Sequence, residues 1–273
     1  MVLDLQADII RTLGVAPVFD AAGETERRIT FLADYLKASA MRAYVLGISG
    51  GVDSLTAAML AQAAVRRLRD HGHEAQFIAV RLPYGIQADE ADAQTALEVI
   101  CPDRTVTINI RPAVDAMLAE VRREAGDLFE LARLDFHLGN IKARQRMIAQ
   151  YALAGAVRGL VIGTDHAAEA LMGFFTKFGD GAADILPLSG LTKRRVRAIS
   201  ARLGAPQELI DKVPTADLES DAPLRPDEEV YGVTYDNIDD FLEGKSVTEP
   251  ARQRILTAHV ATAHKRALPV TPE

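Results

Sequence analysis

The hydrophobic and polar positions of the chain change their period repeatedly, which predicts alternating helices and strands. Residues 24–40 carry apolar side chains at a helical spacing, on one face, at Ile29, Leu32, Ala33 and Leu36. Residues 43–48 are short and almost wholly apolar, which is typical of a strand buried on both faces. A glycine-rich turn follows, and then an alanine-rich segment over residues 54–69 that predicts a second helix.

The same alternation continues along the chain. It predicts further strands over residues 75–81, 104–110 and 160–163, and further helices over residues 89–100, 142–157 and 192–203. This order indicates an α/β fold, a doubly wound parallel sheet with helices on both faces, whose ligands bind at the carboxyl ends of the strands. No segment reads as a convincing linker, so we expect residues 1–273 to form a single domain.

Residues 206–228 depart from this alternation, because they are rich in proline and acidic residues and have no hydrophobic period. A loop of this length within a compact domain is more often functional or disordered than idle. We therefore treat it as a candidate part of the functional site.

Composition narrows the class of protein. The 273 residues are 48% hydrophobic and 25% charged, which is typical of a globular protein and argues against disorder. The net charge of −7 argues against binding along a nucleic acid. The single cysteine, Cys101, excludes an internal disulfide and multi-thiolate metal sites. No long apolar run predicts a membrane span, and the acidic N-terminus is unlike a signal peptide, so we expect a cytoplasmic protein without a membrane partner.

The strongest chemical signal is the glycine loop, Gly47–Ser54, which reads GISGGVDS and lies between a predicted buried strand and a helix. Glycines let the backbone approach a ligand, and the free amides at a helix N-terminus attract phosphate. Asp53 would repel a phosphate unless a divalent cation lies between them, which indicates Mg²⁺. The string is neither a Walker A motif nor a Gly-x-Gly-x-x-Gly motif.

The glycine loop resembles the PP-loop of ATP pyrophosphatases, enzymes with an adenine nucleotide alpha hydrolase-like fold that cleave ATP between the α- and β-phosphates. Further segments resemble the ammonia-dependent NAD synthetases of that superfamily, and the resemblance runs from about residue 5 to residue 268. These segments are Arg81–Glu90 (RLPYGIQADE), Gly163–Glu169 (GTDHAAE), Gly173–Gly181 (GFFTKFGDG) with Asp184, Pro214–Glu219 (PTADLE) and His264–Arg266 (HKR).

The resemblance implies the following roles. ATP is a co-substrate and contacts Gly47, Ile48, Ser49, Gly50, Gly51, Val52, Asp53, Ser54, Arg81, Gln87, Thr164, Lys193 and Thr215. Mg²⁺ is held by Asp53 and Glu169, which follow different strands and would meet at one sheet edge. Catalysis involves Asp53, Ser54, Lys193 and Asp180, the last of which would orient or deprotonate ammonia. A cation such as Lys193 in the first turn of a helix is unfavourable for the helix dipole, which an anionic ligand would offset.

The second substrate implied by the resemblance is deamido-NAD (nicotinic acid adenine dinucleotide). The residues that would contact it are Arg144, Phe174, Lys177, Asp184, His264 and Lys265. The resemblance also implies a homodimer that binds deamido-NAD across its interface. In this hypothesis the nicotinate carboxylate attacks the α-phosphorus of ATP, pyrophosphate leaves, and ammonia converts the acyl-adenylate into NAD and AMP, the last step of NAD biosynthesis.

Glutamine-dependent relatives carry an additional amidohydrolase domain, and we expect no such domain here because the length is accounted for. Free ammonia, or ammonia from a separate protein, is then the nitrogen source. Two alternatives stay open. One is a tRNA-modifying PP-loop enzyme of the lysidine-ligase type, since the lone cysteine argues against sulfur transfer. The other is a nucleotide-binding sensor without activity, against which the pair Asp53 and Glu169 argues.

Overall fold

A parallel four-stranded sheet forms the centre of the computed structural model, which describes residues 5–85, 89–215 and 225–272. Its strands are β1 (Ala43–Gly47), β2 (Gln76–Arg81), β3 (Arg104–Thr107) and β4 (Gly159–Val161). They are hydrogen-bonded in the order β3-β2-β1-β4, so the order reverses at β1. Val45 of β1 stands opposite both Ile78 of β2 and Val161 of β4. The predicted doubly wound α/β fold is confirmed.

Helices surround the sheet and continue beyond it. In chain order they are α1 (Leu5–Thr12), α2 (Ala21–Ala38), α3 (Val52–Asp70), α4 (Glu90–Ile100), α5 (Arg111–Ala125), α6 (Leu134–Val157), α7 (Ala167–Met172), α8 (Lys193–Arg202), α9 (Gln207–Ile210), α10 (Asp227–Tyr231), α11 (Tyr235–Leu242), α12 (Glu249–Ala261) and α13 (Ala263–Arg266). Two 3₁₀ turns, Gly126–Leu128 and Leu131–Arg133, join α5 to α6.

The two faces of the sheet are covered by different helices because side chains alternate along each strand. Tyr44 and Leu46 of β1 pack with apolar residues of α2, α3 and α8 in one cluster. Val45, between them in sequence, packs in a second cluster with residues of α5 and α6. Helices therefore lie on both faces, which explains why β1 is apolar at every position.

A third cluster lies beside the sheet and consists of the C-terminal helices and the N-terminal one. Ile9 of α1 packs there with Leu171 of α7, Phe241 of α11 and Ile255 of α12. The sequence patterns predicted none of the helices α1, α11 and α12. It carries Glu169 on α7 and supports the start of α8, so it forms one wall of the site described below.

Several predicted boundaries are corrected by the structure. The strand predicted over 104–110 ends at Thr107, after which Ile108 and Ile110 donate single hydrogen bonds to Arg81 and Pro83. The helix predicted over 142–157 begins earlier, at Leu134. Within 206–228, predicted as an aperiodic loop, residues 207–210 and 227–228 are helical. Across the described part of the chain, no helix combines the length and the apolarity needed to cross a lipid bilayer.

Candidate active site

The glycine loop joins β1 to α3 and is held in shape by its two serines. The hydroxyls of Ser49 and Ser54 lie 3.1 Å apart, and the Ser54 hydroxyl donates to the Gly51 carbonyl at 3.1 Å. Gly51 caps α3 without a side-chain hydrogen bond, so the first amides of the helix receive no acceptor from the cap. The loop thus presents a helix N-terminus, with its partial positive charge, to the cleft.

Gly50 has a specific steric reason to be glycine. Its φ is +84°, and a Cβ atom there would lie 2.9 Å from the backbone nitrogen of Ala93. The glycine loop can therefore lie directly against the first turn of α4 only if residue 50 has no side chain.

Four side chains from three elements converge beside the glycine loop. Lys193 Nζ lies 2.7 Å from Asp53 Oδ2. His166 Nε2 lies 3.5 Å from Asp53 Oδ1 and 3.6 Å from Glu169 Oε1. Asp53 is on α3, Glu169 is on α7, Lys193 is on α8, and His166 is the N-cap of α7. The predicted meeting of Asp53 and Glu169 at one sheet edge is consistent with this arrangement.

Helix α11 packs against the start of α8 and fixes the position of Lys193. Asp239 of α11 accepts hydrogen bonds from the backbone amides of Lys193, at 3.0 Å, and Arg194, at 2.8 Å. Thr192 caps α8 through the Arg195 amide, as predicted from the sequence. The Lys193 ammonium also lies 4.9 Å from the centre of the Tyr235 ring. These contacts direct a buried cation toward the glycine loop.

The electrostatics of this cluster follow from burial and from the single ammonium. Burial acts to raise the pKa of Asp53, but Lys193, His166 and Arg197 together outweigh it and the pKa of Asp53 is lowered. Burial and the charge of Asp53 raise the pKa of Glu169 well above its ordinary value. Burial lowers the pKa of His166 to about 3, so its imidazole is neutral near pH 7. The single ammonium thus keeps Asp53 ionised, and a further positive charge is needed to ionise Glu169 as well.

The geometry of this cluster fits a divalent cation. One ligand atom each from Asp53, His166 and Glu169 lies within 4.8 Å of the other two. Among the described residues, Asp53 Oδ1 and both ring nitrogens of His166 are buried without a hydrogen-bond partner. We did not predict His166. The signal was present, because it precedes Glu169 by three residues and so shares its side of a helical turn.

Most of the predicted ATP-binding residues line one cleft at the carboxyl ends of β1, β2 and β4. They are Gly47, Ile48, Ser49, Gly51, Val52, Asp53, Ser54, Arg81, Thr164, Lys193 and Thr215. Gly50 packs on α4 behind the cleft, and Gln87 lies outside the described residues. Arg81 is buried, and its guanidinium donates to the Ile48 carbonyl and to Glu90 Oε2.

The six residues predicted to contact deamido-NAD fall into three sets. Phe174 lines the same cleft as the glycine loop, and its ring packs edge-on against the Tyr231 ring with 4.8 Å between their centres. Asp180, the predicted ammonia-orienting residue, lines this cleft too. Arg144 donates to the Lys177 carbonyl at 3.2 Å, and Lys177 Nζ donates to the His264 carbonyl at 2.6 Å. These three residues form a basic group near one another, but not among the residues that line the cleft.

The remaining two predicted contacts bind backbone groups. Lys265 Nζ donates to the carbonyls of Gly173 and Phe175, each at 2.9 Å. Asp184 Oδ2 accepts from the Val161 amide of β4 at 2.7 Å. Both interactions shape the wall of the cleft, and a ligand contact by either residue stays a prediction.

The cleft also contains residues that we did not predict from the sequence. Gln150 of α6 accepts a hydrogen bond from the Gly47 amide at 2.7 Å, and Lys212 and Asp227 line the opposite side. Asp227 accepts from the Tyr235 hydroxyl at 3.0 Å. No short-range pattern marks these positions, because each depends on a neighbour far away in the sequence.

Known proteins resemble this chain along nearly its whole length. A family model described as NAD synthase matches residues 24–269. An NH(3)-dependent NAD(+) synthetase of Paraburkholderia phytofirmans is 61% identical over 98% of this chain and 93% of its own length. The crystal structure of an NAD+ synthetase from Burkholderia pseudomallei superimposes with a TM-score of 0.84 at 57% identity, over 97% of this chain and 96% of that one.

A solved structure at lower identity is that of an enzyme named for a different product. The structure of an NMN synthetase from Francisella tularensis has a TM-score of 0.81 and 38% identity, over 93% of this chain and 99% of that one. The family model matches most of the chain, and the first two relatives are each more than half identical to it in sequence. The chain therefore belongs to the NAD synthase family.

Proposed function

We propose that the protein amidates deamido-NAD with ammonia, at the expense of ATP, and releases NAD, AMP and pyrophosphate. It is then an ammonia-dependent NAD synthetase, a ligase that forms a carbon–nitrogen bond. The observation that carries the proposal is the ion pair of Lys193 with Asp53 at the mouth of the glycine loop. A phosphate at this loop would meet both an ammonium group and helix amides.

The chemistry requires an activated carboxyl group, because a carboxylate cannot expel oxide when ammonia attacks. Transfer of AMP to the nicotinate carboxylate supplies a good leaving group. The glycine loop would bind the phosphates, and Lys193 would stabilise the charge that develops on the departing pyrophosphate. Ser54 would contribute a hydroxyl donor. No covalent bond to the enzyme is needed, so the protein acts by positioning and by charge.

We further propose that Asp53 and Glu169 hold Mg²⁺ when ATP is bound. The unpartnered Asp53 oxygen supports this assignment, as does the raised pKa of Glu169, since a bound cation would favour its ionised form. The cation would neutralise phosphate charge between the two carboxylates. Carboxylate oxygens are the ligands that Mg²⁺ prefers, and Lys193 stays as the second positive charge on the phosphates.

We assign the basic group of Arg144, Lys177 and His264, with Lys265, Phe174 and Asp184, to the dinucleotide. Arginine and lysine suit its pyrophosphate, and an aromatic ring suits its nicotinate ring. Asp180 would orient ammonia, because it lines the cleft and its Oδ1 is held by the Thr176 amide at 2.9 Å. Each role is open to substitution experiments, with KM for deamido-NAD as the readout for the first group.

We propose that two copies associate through the outer faces of α5 and α6. Large apolar side chains are exposed at Met117 of α5, at Phe136 and Ile148 of α6, and at Leu128 and Leu131 of the 3₁₀ turns between them. Apolar surface of this kind is typical of an interaction site. Arg144 lies on α6 as well, so a second copy on this face would be close to the residues assigned to the dinucleotide. The proposed cellular location of the dimer is the cytoplasm.

A product assay tests the proposed function. The purified protein is incubated with ATP, Mg²⁺, ammonium and deamido-NAD, and we expect AMP, pyrophosphate and NAD in equal amounts. ADP and phosphate as products would contradict the mechanism. Glutamine in place of ammonium tests the nitrogen source. A parallel reaction with nicotinic acid mononucleotide, whose amide is NMN, tests the choice of substrate, and a preference for it would replace deamido-NAD in the proposal.

A further inference from the structure

Three segments meet on one side of the cleft, and Lys212 joins them. These are the glycine loop, the first turn of α4, and residues 212–215, which follow α9. Lys212 Nζ lies 2.6 Å from Asp92 Oδ2 and 3.7 Å from Asp89 Oδ2. It also donates to the Gly50 carbonyl at 3.4 Å. One side chain thus connects the phosphate-binding loop to two other walls of the site.

The longer ion pair of Lys212, with Asp89, is shielded from water, whereas Asp92 in the shorter pair is partly exposed. The side chains of Lys212 and Asp89 are only 21% and 11% exposed, and the second oxygen of Asp89 is buried without a hydrogen-bond partner. Ion pairs that are shielded from water are screened less than exposed pairs. Direct packing of Gly50 against Ala93 already fixes the glycine loop on α4, so Lys212 adds residues 212–215 to a preformed unit.

Residues 212–215 are also held at their other end. Thr215 forms an isolated antiparallel bridge with Pro226, and the Asp227 amide donates to the Pro214 carbonyl at 3.0 Å. Thr215, which makes the first of these contacts, lines the cleft. Its position relative to the glycine loop therefore depends on Lys212 on one side and on Asp227 on the other.

We propose that Lys212 is a positioning residue for the nucleotide. Its contacts with Asp92, Asp89 and Gly50 hold residues 212–215 against the glycine loop, so that Thr215 faces the bound phosphates. The inference rests on the proposed function for the identity of the nucleotide as ATP. The attachment itself rests only on the described contacts.

Steady-state kinetics test the inference. We expect Lys212→Met to raise KM for ATP about tenfold, since it removes charge-assisted contacts, and to change kcat by less than about twofold. Lys212→Arg keeps the charge and should restore most of the affinity. Asp92→Asn removes the shorter ion pair and leaves Lys212 in place, so it should raise KM in the same direction even if Lys212→Met folds poorly. Lys245→Met is the matched control, because Lys245 also pairs with two acids, Asp240 and Glu243, on an exposed surface.

A readout without turnover separates this inference from the proposed function. We expect Lys212→Met to weaken binding of a non-hydrolysable ATP analogue in calorimetry and to speed hydrogen exchange at the Asp227 amide. Unchanged affinity and exchange in Lys212→Met would overturn the inference, as would a lower kcat at unchanged KM. If the wild-type protein binds the analogue but makes no NAD, the proposed function fails while the role of Lys212 is still decided by binding and exchange.

Discussion

Lys193 combines a structural requirement with a chemical one. It is almost fully buried, and a buried ammonium is tolerated only when it is paired and hydrogen-bonded. Its partner Asp53 faces the cleft, so the pair stays accessible to an anionic ligand from the open side. Burial acts to lower the pKa of Lys193, but Asp53 and Glu169 outweigh it and the pKa is raised. The residue therefore remains a cation throughout the physiological pH range.

Replacement of Asp53 tests this arrangement. We expect Asp53→Asn to lower kcat at least about 100-fold, because it removes both a proposed cation ligand and the partner of Lys193. AMP release measures the effect, and circular dichroism reports whether the fold is kept. Asp70→Asn, at the exposed opposite end of α3, is the control and should retain activity. Turnover near the wild-type rate in Asp53→Asn would contradict both roles.

Gly50 provides a second test at the scale of one residue. Gly50→Ala combines a positive φ with a Cβ only 2.9 Å from a backbone atom, whereas Gly72→Ala has a φ of +80° and open space around its Cβ. We expect Gly72→Ala to lower the free energy of unfolding by about 1 kcal/mol through backbone strain alone. Gly50→Ala should cost clearly more and weaken ATP binding. Equal costs in urea denaturation would show that α4 yields to the added methyl group.

At the scale of elements, Asp103 connects the start of β3 to the neighbouring strand β2 and to helix α3. It precedes β3, accepts from the Phe77 amide of β2 at 2.8 Å, and pairs with Arg69 of α3 at 2.8 Å. Burial acts to raise the pKa of Asp103, but these hydrogen bonds outweigh it and the pKa is lowered. A group of this kind stabilises the fold only while it is ionised.

This leads to a prediction about pH. The stabilisation from Asp103 should be fully present above its ordinary pKa of 3.8 and should be lost as the pH falls through its lowered folded-state value. We expect Asp103→Asn to reduce the free energy of unfolding by about 1–3 kcal/mol at pH 7 and by less at pH 3. Denaturant titrations at both pH values measure the difference. A deficit that is the same at both pH values, or that also occurs in the exposed control Asp34→Asn, would contradict the assignment.

The elements also show what sequence patterns can and cannot predict. The strand predicted over residues 43–48 and the helix predicted from Thr192 follow from apolarity and local capping. In the structure the strand ends at Gly47 and the helix begins at Lys193, each within one residue of the predicted bound. The role of Asp239 is invisible locally, because it caps the amide of Lys193 from 46 positions away. The early start of α6 was missed because its N-terminal turns are partly exposed and lack a side-chain cap.

At the scale of the whole molecule, three buried apolar clusters support different parts of the structure. Two cover the faces of the sheet, and the third, built from α1, α7, α11 and α12, presents Glu169 and supports α8. The sequence predicted the sheet and the glycine loop because both depend on neighbouring residues. It did not predict the third cluster or His166, whose significance depends on Asp53, more than a hundred positions away.

The proposed association of two copies can be tested at this scale. We expect Phe136→Asp to shift the protein from dimer to monomer and to raise KM for deamido-NAD, because it places a charge in the apolar face of α6. Light scattering after size-exclusion chromatography measures the mass. Phe31→Asp is a matched control, since Phe31 is exposed to a similar extent, 44% against 48%, but lies on α2. A wild-type monomer, or a dimer that persists in Phe136→Asp, would contradict this interface.

The packing of α1 has a consequence for biosynthesis. Ile9 is buried in one cluster with residues of α11 and α12, so a helix that precedes the sheet in the chain packs on helices that follow it. During synthesis, β1, β2 and β3 leave the ribosome before α11 and α12, and Ile9 then lacks these packing partners. Domains fold as units during synthesis, and exposed apolar surface in that interval favours aggregation. We therefore expect the apolar face of α1 to stay exposed until α11 and α12 have been synthesised.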